Sequence, residues 1–333
     1  MIIVSNFTLR YLKVMKATFQ SLQDVDLRLL RVFQSVVRNG GFSAAQEELG
    51  LTVSTVSNHI TALEQRLGVK LCHRGRGGFR LTEQGKTVHA AMLDLFGSIQ
   101  TFHSAVGAAK EKITGVVEFG AVDALHTNDQ FPLARAIGDF VRTAPEARIN
   151  LHVASPQELL QGLLTGRFHV ILTPTPAPTA PVESRLVFRE FQQLYCGRGH
   201  ALFDLEDRQI TLEMLSHYPF VGRSYEGTPA HAGLSMQKQS EVSYMESTAL
   251  MIFSGAFLGY LPDHYAEPHI RDGKLRALSS VNAGFHNDFF ICTHKSHRNR
   301  GAVHFMQQVI ENCIDLGTGS TEIRPLGFKR TLA

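Results

Sequence analysis

The sequence predicts an α/β protein in three parts: an all-α N-terminal region, one long helix, and a larger region of alternating strands and helices. Three observations support this. Apolar residues recur at helical spacing in short segments between Asp24 and Leu67. They then recur every three or four positions from Val88 to Val106. After Gly115, short β-branched runs alternate with amphipathic segments, a pattern typical of α/β folds.

The composition is that of an ordinary globular protein. The chain has 333 residues, of which 44% are hydrophobic and 19% charged, with a net charge of +3. This length allows two or three domains. Because the net charge is small, binding to a polyanion requires a local basic patch.

The cysteines and the hydropathy indicate a compartment. The four cysteines are far apart, without a CxxC pair, which argues against a disulfide framework or a structural zinc site. No apolar run reaches the roughly 18 residues that a transmembrane helix needs. The sequence therefore predicts a cytoplasmic protein.

The first helix follows an extension, residues 1–23, that has no amphipathic pattern and includes a second possible start, Met15. Asp24 or Asp26 is the predicted N-cap, and Gly40 ends the helix. Its apolar stripe consists of Leu29, Leu30, Phe33, Val36 and Val37.

Two further helices follow. Ser43 and Gln46 have capping-box spacing, and Gly50 ends the short second helix. Thr52 precedes a third helix that runs to about Leu67. Its buried face is predicted to contain Val56, Ile60, Leu63 and Leu67.

The opposite face of the third helix carries Ser54, Thr55, Asn58 and His59. Short polar side chains without an acid can approach base edges and phosphates closely. The helix N-terminus also favours a phosphate. Taken alone, this helix leaves open the alternative of a solvated polar surface.

An arginine- and glycine-rich turn, "CHRGRGGFRLT", follows the third helix. Such a hairpin can place arginines along the phosphate backbone or in the minor groove. Between Arg66 and Lys86 there are six basic residues and one acid, Glu83. The predicted DNA contacts are Thr52, Ser54, Thr55, Asn58, His59, Arg74, Arg76 and Arg80.

A long helix is predicted from Thr82, its N-cap. Its apolar residues keep heptad spacing over nearly three repeats, which favours pairing with a second helix over a core stripe within one domain. The predicted pairing residues are Val88, Met92, Leu95, Ile99, Phe102 and Val106.

The remaining chain alternates strands and helices, from "GVVEFGAV" through "PLARAIGDFVRTAP" to the buried run "HVILTP". This alternation predicts a largely parallel sheet. A proline-rich loop at 173–181 separates it from a second α/β stretch at about 195–290. "AVHFMQQVIENCIDLG" closes as a helix, and the tail, 318–333, is predicted to be flexible.

The stretch from Leu27 to about Gly85 resembles the winged helix-turn-helix of LysR-type transcriptional regulators. Residues in register with the family pattern are Phe33, Gly41, Phe42, Ala44, Ala45, Leu49, Ser57, Leu63, Glu64, Gly68, Leu71, Arg74, Leu81, Thr82 and Gly85. Val53-Ser54, Asn58-His59 and Cys72 depart from it. The first two pairs alter base-reading positions, so the target sequence cannot be transferred.

The resemblance implies an organisation for the whole chain. It places a DNA-binding domain at 24–81, a linker helix that pairs subunits at 82–112, and an effector-binding domain at 113–317. That domain is similar to periplasmic binding proteins, with lobe I at about 115–191 and 292–317 and lobe II at about 196–287. The crossing strands fall near 191–197 and 287–293.

The function implied is that of a homodimeric or homotetrameric transcription factor. Such a protein binds a double-stranded DNA operator and responds to a small-molecule effector between the lobes. Contacts with RNA polymerase are compatible with this function, and no cofactor is expected. The rival class is a small-molecule-binding module or enzyme with an accessory helical segment. Against an enzyme, the sequence contains no GxSxG, HExxH, Walker A or dinucleotide motif.

Effector residues are predicted where parallel strands end and helices begin, since ligands of open α/β sheets bind there. These positions are Asp123, Ala124, Ser155, Gln157, Thr173, Pro174, Gly222, Ser224, Glu246, Ser247 and Thr248. Asp123 and Glu246 would repel a carboxylate. Either the effector is not a simple anion, or one acid pairs with Arg223, or both acids are solvated.

Histidine and cysteine suggest two weaker hypotheses. His294 and His297 form the tightest histidine pair but lack a third ligand nearby, so we expect surface residues and no metal. Cys196 and Cys292 fall on the two predicted crossing strands, as spatial neighbours. We expect inert buried thiols there rather than a redox switch.

Overall fold

The computed structural model describes residues 22–73, 78–109, 112–177, 180–224, 238–281, 283–297 and 301–317. Within them the chain forms two compact units that divide between Met92 and Leu93. Arg74, Arg76, the predicted tail and nearly all of the predicted extension lie outside the described residues. No described helix is both long and apolar enough to cross a membrane.

Three helices and a hairpin, as the sequence predicts, form the first unit together with the beginning of the long helix. The helices are α1, Asp24–Arg38, α2, Phe42–Leu49, and α3, Val53–Leu67. Strand β1, Cys72–His73, pairs in antiparallel register with β2, Arg80–Leu81.

The core of this unit contains the predicted apolar faces of α1 and α3, with one exception. Phe33, Val36, Val56 and Ile60 are fully buried. Leu67 is 38% exposed, contrary to prediction. It is the last residue of α3, and the following glycine has a left-handed backbone that turns the chain away.

Two predicted helix caps are wrong. Gln23, rather than Asp24 or Asp26, precedes the first turn of α1, and the Asp26 carboxylate accepts a hydrogen bond from the Gln23 backbone N–H at 2.9 Å. Helix α2 begins directly after Gly41, so Ser43 lies inside its first turn. In both cases the helix begins before the residue that the sequence predicts as its N-cap.

Helix α4 spans Glu83–Ala108, shorter than the predicted extent to Lys112. Thr82 caps it as predicted, because its Oγ1 accepts the Gly85 backbone N–H at 2.8 Å. Gly85 packs directly against the chain before β1. A Cβ at this position would lie 1.9 Å from the Leu71 carbonyl oxygen, so no other residue fits without a backbone shift.

The second unit is built on one mixed sheet, ordered β4-β3-β5-β11-β6-β9-β7-β8, with β10 paired to β6. The strands are β3, Gly115–Ala121; β4, Ala147–Val153; β5, Val170–Thr173; β6, Val182–Gly197; β7, Phe220–Arg223; β8, Lys238–Val242; β9, Leu258–Pro262; β10, Leu275–Ala277; and β11, Phe285–His294.

The predicted largely parallel sheet is correct only inside each lobe. Strand β3 runs parallel to β4 and β5, and β7 runs parallel to β8 and β9. The long strands β6 and β11 are antiparallel to each other. The chain crosses from lobe I to lobe II along β6 and returns along β11, so these two neighbours must run in opposite directions.

Helices pack against this sheet in both lobes. They are α5, Leu133–Thr143; α6, Pro156–Leu164; α7, Leu212–Ser216; α8, Met245–Phe253; α9, Asp263–Arg271; and α10, Gly301–Gly317. Lobe I has one large core around Phe119, Phe140 and Phe168. In lobe II, successive residues of β6 enter two cores: Leu194 on one face and Tyr195 on the other.

Candidate nucleic-acid interface and interlobe cleft

The N-terminal end of α3 presents the polar side chains that the sequence predicts there. Ser54 and Asn58 are exposed, and Thr55 and His59 are half-buried. Thr52 caps the helix as predicted: its Oγ1 accepts the Thr55 backbone N–H at 3.2 Å and lies 2.9 Å from Ser54 Oγ. Hydroxyl and amide groups thus surround a helix N-terminus, which suits phosphate and base edges.

Glu64, whose role the sequence reasoning missed, joins α3 to the hairpin. Its carboxylate is only 9% exposed. Oε1 accepts the Leu71 backbone N–H at 2.8 Å, and Oε2 pairs with Lys70 Nζ at 3.2 Å. The available signal was an acid on the otherwise apolar face of α3. Because the carboxylate bonds main-chain atoms, it holds the hairpin in place beside the helix.

The basic surface is smaller than the residue count suggests. Arg66 donates to the Asp26 carboxylate, and this hydrogen bond holds the pKa of Asp26 below its usual value. Lys70 and Lys86 also pair with glutamates of the same unit. Arg80 is exposed and, within the described residues, makes no ion pair.

The predicted pairing face of α4 is only partly accessible. Phe102 is 67% exposed and Val106 40% exposed, whereas Val88, Leu95 and Ile99 are half-buried. Met92 is 2% exposed. Its assignment to the pairing face is therefore wrong, because its own chain covers it.

The loop after β3 links the two lobes. The Asp123 carboxylate of lobe I accepts the backbone N–H of Met245, the first residue of α8 in lobe II, at 2.6 Å. The next residue, Ala124, has a left-handed backbone with φ of +62°. This conformation costs a non-glycine residue about 1–2 kcal/mol. Strain therefore lies beside a contact between lobes.

Besides Asp123, three of the predicted effector residues are hydrogen-bonded or buried within the protein. Ser155 caps α6, and its Oγ donates to Glu158 Oε2 at 2.7 Å. Thr248 Oγ1 donates to the Tyr244 carbonyl at 3.2 Å. Thr173 is 1% exposed at the end of β5. A ligand would have to displace these bonds or contact only the outer edges of these residues.

The other predicted effector residues differ in accessibility. Gln157, Ser224 and Glu246 are exposed, and Pro174 and Ser247 are half-buried. Gly222 is buried, and a Cβ there would lie 2.7 Å from Lys238 Cε, so a long side chain covers it. This covering argues against direct contact of a ligand with Gly222.

The charge of the cleft is mixed. Burial raises the pKa of Asp123, while the Met245 N–H and the positive charge of Arg223 oppose that rise. Burial also raises the pKa of Tyr244 and of Tyr265, and the charge of Asp123 adds to both shifts. Asp123 is therefore not a solvated loop acid, because it is partly buried and lies in the field of Arg223. Glu246 is exposed and is a solvated loop acid.

A polar chain that the sequence reasoning missed also connects the lobes. Arg223 donates to Gln192 Oε1 at 3.2 Å, and Gln192 Nε2 donates to Glu190 Oε2 at 2.6 Å. His264 lies 2.8 Å from Glu190 Oε1 and, through Nδ1, 2.8 Å from Thr127 Oγ1 of lobe I. The available signal was the spacing of Glu190 and Gln192, which are two positions apart and therefore on the same face of the crossing strand.

Two expectations about the histidine pair and the cysteine pair are wrong. His294 and His297 are buried, not surface residues, at 4% and 1% exposure. Cys196 and Cys292 are not neighbours: Cys292 lies opposite Ser184, near the other end of β6 from Cys196. Antiparallel pairing puts the two thiols in different lobes. Burial raises the pKa of Cys196 to about 11 and also raises that of Cys292.

The sequence matches two family descriptions. Residues 27–86 match "Bacterial regulatory helix-turn-helix protein, lysR family", and residues 111–314 match "LysR substrate binding domain". The HTH-type transcriptional activator BauR of Pseudomonas aeruginosa is 36% identical over 278 residues, covering 83% of this chain and 91% of that protein. The transcriptional regulator CbbR of Xanthobacter flavus is 22% identical over 260 residues, covering 76% and 77%.

Solved structures share the fold. A full-length OxyR variant from Pseudomonas aeruginosa has a TM-score of 0.62 at 20% identity, covering 90% of this chain and 98% of that one. LysG from Corynebacterium glutamicum, described with bound effector Arg, has a TM-score of 0.57 at 16% identity, covering 87% and 98%. The curated relatives are named as transcription regulators, so the enzyme alternative is wrong.

Proposed function

This chain belongs to the LysR family of transcriptional regulators, and we propose that a small molecule in the interlobe cleft controls how it acts on operator DNA. Regulators of this family bind DNA and small-molecule effectors and act as oligomers. Which residues of this chain contact DNA, a second subunit and the effector is what we propose below.

On the DNA side, Ser54, Thr55, Asn58 and His59 are proposed to face base edges, with Thr52 and Arg80 on the phosphates. From the sequence alone, Arg74 and Arg76 are proposed to contact the phosphate backbone of the DNA. Glu64 supports this arrangement because its carboxylate ties the hairpin to α3, so the two contact elements are held together before DNA binds. A pre-formed surface loses less entropy on binding.

Subunits are proposed to pair through α4. Phe102 and Val106 lie on one stripe of this helix and are large apolar side chains left exposed, which a second copy would cover. Two such units would then meet two half-sites of an operator. Dimers and tetramers are both compatible with this arrangement.

The observation that carries the effector proposal is the hydrogen bond from Met245 N–H to the Asp123 carboxylate, which joins the lobes at the cleft. A ligand that competes for this bond, or adds to it, changes the equilibrium between open and closed lobes. The coupling to DNA binding, DNA bending or RNA polymerase contact is expected to be about 1–3 kcal/mol. LysG, described with bound effector Arg, supports a ligand site in this class of fold.

A fluorescence anisotropy titration of the full chain with a random-sequence duplex tests the DNA half. Because phosphate contacts release counterions, affinity should fall at least about tenfold between roughly 50 and 200 mM salt. Absence of binding at the lower salt concentration, or binding that does not depend on salt, would contradict the proposal.

A further inference from the structure

A cavity of about 520 Å³ opens between the lobes next to the crossing strands, away from the predicted effector residues. Lobe I contributes Thr127–Gln130, β6 contributes Glu190 and Tyr195, and α9 contributes Asp263 and Glu267. None of the predicted effector residues lines it. Its volume is in the range of small-molecule sites.

Tyr195 supplies a polar group to the wall of this cavity. The residue is 2% exposed and lines the cavity, yet no described residue forms a hydrogen bond with its hydroxyl. Its oxygen is not sealed off from the cavity, so it can bond water or a ligand there. Burial and the charge of Asp263 both raise the pKa of Tyr195, so the phenol stays neutral and its oxygen can accept a hydrogen bond.

The charge of the lining is negative. Its arginine, Arg189, donates to the Asp288 carboxylate at 2.8 Å and is thereby neutralised. Glu190 faces His264, and Glu267 lies 3.7 Å from Arg271. Asp129 and Asp263 form no ion pair with any described residue. Two carboxylates therefore remain without a counter-charge in the lining.

The wall beside these acids is aromatic. Phe191 lies 5.0 Å from the His286 ring, centroid to centroid, and both line the cavity together with Tyr195. Aromatic faces attract cations and also pack against short apolar chains. Asp129 and Asp263 are both exposed, so they disfavour an anion by charge repulsion rather than by burial.

We propose that this cavity binds an organic cation, an ammonium or guanidinium group on a short aliphatic chain, between Asp263 and Tyr195. The cation donates one N–H bond to the Asp263 carboxylate and another to Tyr195 Oη. Its chain packs along Phe191. Because both lobes supply lining residues, the ligand contacts lobe I at Asn128–Asp129 and lobe II at α9.

Isothermal titration calorimetry of the full chain tests this with three probes: methylammonium, 1,4-diaminobutane and agmatine. Butanedioate serves as an anionic control of similar length. We expect at least one cation to bind and butanedioate not to bind. Asp263→Asn should weaken the cation about tenfold or more, because a charge-assisted bond is lost. Tyr195→Phe should weaken it about threefold or more.

Matched variants separate the cavity from general effects. Tyr218→Phe removes a phenol outside the cavity, and Asp272→Asn removes a carboxylate at the other end of α9. Both should keep the wild-type affinity. If none of the three cations binds, if butanedioate binds equally well, or if Asp263→Asn has no effect, the proposal is wrong. Should Tyr195→Phe fail to fold, Asp263→Asn still decides the matter.

Discussion

The polar surface of α3 and the polar lining of the interlobe cleft are built in different ways. Ser54 and Asn58 point outward into solvent, and the helix beneath them is held by a buried core and by Glu64. In the cleft, Ser155, Thr248 and Asp123 already have hydrogen-bond partners within the protein.

This difference has a physical consequence for binding. A ligand of α3 displaces water and finds the groups in place, so its affinity depends on direct contacts. A ligand of the cleft must exchange internal hydrogen bonds for its own, and each exchange alters what holds the lobes together. Such a site is suited to ligand-controlled conformational change, because ligand binding and movement of the lobes involve the same hydrogen bonds.

The largest expected effect comes from Glu64→Ala, which removes the carboxylate that holds the hairpin beside α3. The Leu71 N–H and the Lys70 ammonium lose their carboxylate, and the buried N–H is left unsatisfied, at a cost of about 2 kcal/mol. Chemical denaturation followed by circular dichroism measures the free energy of unfolding. Gln65→Ala, at an exposed neighbouring position, is the control and should change little. Equal stabilities of the two variants would show that Glu64 does not hold the hairpin.

Asn58→Ala and Arg80→Ala sharpen the description of the α3 surface. Loss of the Asn58 amide should reduce the preference for the cognate operator over mismatched sites by about 1–2 kcal/mol. Loss of Arg80 should weaken all duplexes alike and reduce the slope of affinity against salt by about one. Competition binding with operator and random duplexes measures both. If Asn58→Ala weakened every duplex by one factor, its base-reading role would be wrong.

The smallest expected effect is a pH dependence at the cleft. Because burial raises the pKa of Asp123, its contribution to stability is present at low pH and is lost as pH rises through the folded-state pKa. The neutral variant Asp123→Asn keeps an oxygen acceptor for Met245 N–H. It should therefore equal or exceed the wild type at pH 7, by less than about 1 kcal/mol, and lose that advantage near pH 4. Denaturant titrations at the two pH values measure this, and a variant less stable by the same amount at both would contradict it.

Much of the first unit could be predicted from the sequence because its signals are local. Apolar residues three or four positions apart predict α1 and α3, and Thr52 and Thr82 cap the following helices with their own hydroxyls. The pattern did not predict Gln23 before α1, since Asp26 reaches back to the Gln23 N–H from inside the helix.

The candidate sites were less predictable, because they depend on residues far apart in the chain. Glu64 looks like any helical acid until the Leu71 N–H meets it. Met92 fits the heptad spacing, yet its own chain buries it. Cys196 and Cys292 lie on adjacent strands but near opposite ends, which depends on strand register rather than on residue type.

The sequence by itself determined the helical DNA-reading region, the long helix and the alternation of strands and helices, because periodicity, capping and turn residues act over a few positions. Only the tertiary structure decided which polar groups are already satisfied. It joined Asp123 to Met245, placed His264 between Glu190 and Thr127, and left the Tyr195 hydroxyl facing an acidic cavity. These outcomes depend on where distant segments meet, and hydrogen-bonding partners are fixed only at that stage of folding.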